Sequence, residues 1–105
     1  MGYEIRLKTG FFETRRYHLS VIEEQLILSP VENSAEAKII IPSDDILEII
    51  LTKKRIPEIK VQARDKSYDG VFTAGTDFDE VCGLLKRLKK TIVYKYAMNP
   101  KEVRP

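Results

Sequence analysis

Between residues 3 and 73 the apolar side chains recur at alternate positions, in short runs separated by polar turns. A period of two is the signature of strands that bury one face. In YEIRLK, Tyr3, Ile5 and Leu7 share one face, and Glu4, Arg6 and Lys8 the other. YHLSV repeats the pattern with Tyr17, Leu19 and Val21 inward, and Glu23-Glu24 interrupts the run before QLIL. That interruption predicts a hairpin. KIIIP is a short strand closed by Pro42, which has no N–H to give to a ladder. In SDDILEIIL the pattern admits two elements: Ser-Asp-Asp suits a helix cap, whereas Ile46, Ile49, Ile50 and Leu51 suit a strand. We read a turn over 43–45 and a strand over 46–52. EIKVQA places Ile59, Val61 and Ala63 inward; after the turn RDKS, YDGVFT returns with Tyr68 and Phe72 on one face. Seven short strands at this spacing predict an antiparallel sandwich or barrel.

After residue 75 the period changes. Phe78, Val81, Cys82, Leu85, Leu88 and Ile92 fall on one helical stripe. Thr76 is placed to cap the helix, with Asp79 reaching back as in a capping box. Acidic Asp77, Asp79 and Glu80 precede basic Lys86, Arg87, Lys89 and Lys90, an order that suits the helix dipole. Beyond Lys90, TIVYKYAM is rich in β-branched and aromatic residues, and the pattern leaves open whether the helix continues. The expected organisation is one domain over 1–98 with a flexible tail over 99–105.

Composition narrows the class. The chain has 105 residues, 43% of them hydrophobic and 32% charged, which suits a single globular domain with a core of its own. Its net charge of +2 gives no electrostatic case for nucleic acid as the main partner. No apolar run approaches the ~20 residues that span a bilayer, and MGYEIRLKTG does not resemble a secretory leader. Met-Gly opens the chain, but Arg6 stands where a myristoylation signal has Ser or Thr. A single cysteine excludes an internal disulfide and CxxC metal sites. The expected compartment is the cytoplasm.

Seven strands followed by one amphipathic helix resemble the pleckstrin-homology (PH) superfold, and bacterial PH-like and GRAM-like domains in particular. The resemblance is carried by RRYHLSVIEEQLILSP, KIIIPSDDILEIIL and DFDEVCGLLKRL, and covers about residues 3–92. It implies two nearly orthogonal sheets with the helix closing one open corner, and a ligand-facing hairpin between the first two strands. The chain lacks the tryptophan common in the helix of eukaryotic PH domains. Lys8, Arg15 and Arg16 approximate the basic hairpin pattern of phosphoinositide binders, but the arginines are adjacent and Tyr17 follows.

The residues capable of chemistry are few. A reactive thiolate needs a cationic, accessible setting, whereas Cys82 lies on the apolar helix stripe and reads as a small buried hydrophobe. His18, the one histidine, falls on the outward strand face, which separates it from Cys82. Glu23-Glu24 and Asp44-Asp45 offer carboxylate oxygens to a cation, but adjacent acids in turns read as solvated turn formers. Gly70 and Gly75 stand alone rather than in a phosphate loop, and Gly83 falls on the polar helix face. Lys53-Lys54-Arg55 reads as a solvated turn. GFFETRR differs: it sets two adjacent phenylalanines beside two adjacent arginines at the hairpin, and such residues anchor interfaces. The expectation is therefore a non-catalytic module with no cofactor and no metal. It would bind a protein partner through Phe11, Phe12, Arg15 and Arg16, with an anionic lipid headgroup as the alternative ligand. Exposed strand edges offer a second kind of peptide site, by strand addition.

Overall fold

The computed structural model describes residues 2–11, 13–31 and 37–88, and the strand backbone of 93–98. Seven strands come first: β1 (Gly2–Lys8), β2 (Thr14–Ile22), β3 (Gln25–Pro30), β4 (Ile39–Pro42), β5 (Ile46–Lys53), β6 (Glu58–Ala63) and β7 (Ser67–Phe72). Helix α1 (Phe78–Leu85) and a further strand, β8 (Val93–Met98), follow. Neighbours run in the order β4-β3-β2-β1-β7-β6-β5-β8. Every pairing among the first seven is antiparallel, whereas β8 lies parallel to β5. The sheet is open: among the described residues its edges are β4 and β8.

The period-two positions form a single core. Ile5 and Leu7 of β1, Tyr17, Leu19 and Val21 of β2, Leu26 and Leu28 of β3, and Ile41 of β4 are all buried in it. Ile49 and Leu51 of β5, Ile59 and Val61 of β6, and Phe72 of β7 join them. One cluster fed by both halves of an open sheet means that the sheet folds over on itself, as a sandwich does. The outward positions Arg6, Arg16, His18 and Lys60 are exposed and charged or polar.

Helix α1 closes the core at the end where β1 begins. Val81, Leu84, Leu85 and Leu88 are buried in the common cluster, and Phe78 and Cys82 pack against it half-buried. Tyr3 at the start of β1 donates from its hydroxyl to Glu80 Oε1 at 3.3 Å. Burial of the ring and the Glu80 and Asp77 carboxylates raise its pKa, so the phenol stays a neutral donor. Gly83 is exposed on the opposite helix face, as its place in the pattern predicts.

One detail corrects the sequence reading, and a second settles a point it left open. The N-cap is Asp77, whose side chain accepts from the backbone N–H groups of Asp79 and Glu80. Thr76 instead bonds side chain to side chain with Thr73 across a turn, where Gly75 takes φ +89°. Asp77 takes the cap because this turn commits Thr76 to Thr73, leaving the next acceptor to face the helix start. The helix also ends early, at Leu85, and TIVYKYAM contains strand β8 rather than a further turn of helix. The expected tail over 99–105 lies outside the described residues.

Candidate functional site

The hairpin between β1 and β2 extends beyond the core. Its base is closed by the Thr9 N–H donating to the Glu13 carbonyl at 3.1 Å. Phe11 stands at its tip, 94% exposed. Phe12 lies outside the described residues.

Arg15 and Arg16 are neighbours in sequence but not in space. Successive side chains of a strand point to opposite faces. Arg15 is in register with Leu7, on the face that carries the core, and Arg16 is in register with Arg6, on the outer face. There the Arg16 guanidinium donates to both Glu4 carboxylate oxygens, at 3.1 and 3.3 Å. The hydrogen bond from Arg16 holds the Glu4 carboxyl below its ordinary pKa. The paired arginines of the sequence are thus divided, one to the rim of the interior and one to an exterior ion pair.

A cleft of about 380 Å³ opens at the end of β1. Leu7, Lys8 and Thr9 at the end of β1 line it with Tyr17 of β2 and with Ala37 and Ile39 at the approach to β4. Lys66, Ser67 and Tyr68 from the turn into β7 complete the wall. The Lys66 ammonium lies over the Tyr68 ring, 4.9 Å from its centroid. Such a contact orients the cation at a modest energy of about 0.5–1 kcal/mol in an exposed setting. Tyr3 contacts the helix and Lys8 lines the cleft, so plug and cleft lie at opposite ends of β1.

Antiparallel topology explains the convergence. Because β7 pairs with β1, the turn that enters β7 lies beside the turn that leaves β1. The sequence identifies Tyr68 as an inward residue, but Lys66 is one charge in a polar turn, and only the β1–β7 pairing brings it to the hairpin. The other basic cluster is dispersed: Lys54 pairs with Glu58 at 3.2 Å, and Lys53 lies 5.8 Å from the centroid of the Phe78 ring.

The remaining candidates do not assemble. His18 is exposed on the outer sheet face, whereas Cys82 packs half-buried against the core. Among the described residues no group of three His, Cys, Asp or Glu side chains is arranged to hold a metal ion. Nor is any described helix long and apolar enough to cross a membrane. Compared with known proteins, the chain matches no family model and no curated protein sequence. The structure therefore defines a small antiparallel β domain with one helix towards its C-terminus and a cleft with a basic rim at the far end.

Proposed function

We propose that this domain is a non-catalytic interaction module of PH-like build that grips a protein partner with the β1–β2 hairpin and the adjoining cleft. One observation carries the reading: Phe11 is almost fully exposed in the same hairpin whose Lys8 and Thr9 line a cleft with Lys66. An exposed aromatic side chain offers a partner a large apolar area to bury. Phe11 and Phe12 would supply the apolar anchor. Arg15 would supply a forked donor to a carboxylate or carbonyl of the partner. Arg16, turned outward against Glu4, would contribute at the margin. The PH-like assignment is supported by the number of antiparallel strands, their order and the helix that closes one end.

Capture from native-host extract tests the reading. The wild-type domain should retain a discrete partner that Phe11→Ser fails to retain, with both proteins melting at the same temperature. Equal capture by the two proteins would refute it.

The basic border of the cleft favours a second reading, in which an anionic lipid headgroup enters between Lys8 and Lys66. Sedimentation with phosphatidylserine and phosphatidylcholine vesicles separates the two. Binding confined to the anionic vesicles and weakened steeply by salt would select the lipid.

A further inference from the structure

Charge separates the cleft at the end of β1 from other hollows of the surface. Lys8 and Lys66 line it, and no carboxylate does. A hollow on the outer sheet face sets Lys8 and Lys60 against Glu58 and Asp69, and one beside α1 sets Arg87 against Glu80. In both of those the charges cancel. Among the described residues neither Lys8 nor Lys66 forms an ion pair, and the contact of the Lys66 ammonium is with the Tyr68 ring.

The cleft is also graded in depth. Lys8, Thr9, Lys66 and Ser67 are exposed, whereas Leu7 and Tyr17 are buried in the core and Ile39 and Tyr68 pack against it. A cationic rim thus surrounds an apolar floor. On the partner-binding reading given above, we propose that the cleft receives the C-terminal residue of the partner chain. Its α-carboxylate meets Lys8 and Lys66, and its apolar side chain lies against Leu7, Tyr17 and Tyr68. A C-terminal residue carries charge and side chain on one Cα, so both features of the cleft are met at once. An internal Asp or Glu brings the charge without an apolar group to fill the floor. A headgroup phosphate likewise meets the lysines and leaves the floor uncovered. Apolar burial supplies attraction, and charge-assisted hydrogen bonds to the carboxylate fix direction. Capture of a terminal carboxylate is a recurring way of reading a peptide.

N-acetyl-phenylalanine and its carboxamide, titrated into isotope-labelled protein and followed by amide NMR, test the assignment. The free acid should shift the amides of Lys8, Thr9, Lys66 and Ser67 saturably. The carboxamide should bind about tenfold more weakly, the loss expected for a charged hydrogen bond. Lys66→Gln should weaken binding of the acid by a similar factor, with an unchanged melting temperature, and leave the carboxamide unaffected. Phe11→Ser should bind the acid as the wild type does, because Phe11 does not line the cleft. Equal binding of acid and carboxamide would overturn the proposal, and so would tighter binding of glycerol phosphate than of the acid. No saturable shift in a protein that still captures its partner through Phe11 would overturn the C-terminal occupant alone. A saturable shift in a protein that captures nothing would uphold the cleft's ligand and refute the role given to the hairpin.

Discussion

Glu23 and Glu24 occupy the two-residue turn between β2 and β3 with φ of 51° and 62°. Both angles lie in the left-handed region, where a side chain costs on the order of 1 kcal/mol and where Asn-Gly is the favoured pair. Ser43, buried at 3%, supports the turn from outside by donating its N–H and its hydroxyl to the Glu24 carbonyl. Replacing the pair with Asn-Gly should therefore stabilise the protein by about 1–2 kcal/mol, seen as a higher denaturation midpoint at constant slope. At Glu4 the expectation concerns pH. Arg16 lowers the carboxyl pKa in the folded protein, so the stabilisation from this pair is present above the ordinary glutamate range. It is lost as pH falls through the lowered folded value. In a carboxyl-carbon NMR titration Glu4 should have a depressed midpoint, and Arg16→Ala should move that midpoint back up.

Among the elements, α1 depends on its cap and on its buried stripe. Asp77→Ala should cost about 0.5–2 kcal/mol because it removes the acceptor for two helix N–H groups. Thr76→Ala should cost clearly less, and the two denaturation midpoints distinguish the caps. Leu85 is fully buried, so Leu85→Ala should cost about 2–5 kcal/mol. Thermal melts would show this as a large fall, and an unchanged midpoint would contradict the helix's place in the core. The strands were legible because burial on one face leaves a period of two in the sequence. SDDILEIIL was ambiguous for a structural reason: a register shift between Ile46 and Glu48 inserts one extra residue into β5. The buried positions therefore run Ile46, Ile49, Leu51, and the first interval imitates a helix. The parallel position of β8 was hidden, since TIVYKYAM records β propensity but not the strand it will join.

Across the whole molecule, the candidate site is a product of topology. The sequence identifies the hairpin and its aromatic and basic residues, because local composition suffices for that. It does not reveal that adjacent arginines serve opposite faces until the β1–β2 register is known, nor that Lys66 and Tyr68 arrive from another turn. The cleft and the helix plug divide the labour along β1, one end sealed by apolar packing and the other open. On the function proposed above, interior-face residues at the open end would bind the partner, and outer-face residues would serve solvent and ion pairs. The direct test compares Arg15→Glu with Arg16→Glu, two identical charge reversals one residue apart. With both variants folded, the account predicts that Arg15→Glu loses the partner captured by the wild type and that Arg16→Glu retains it. Retention by both, or loss through Arg16→Glu alone, would contradict the assignment of binding to the cleft.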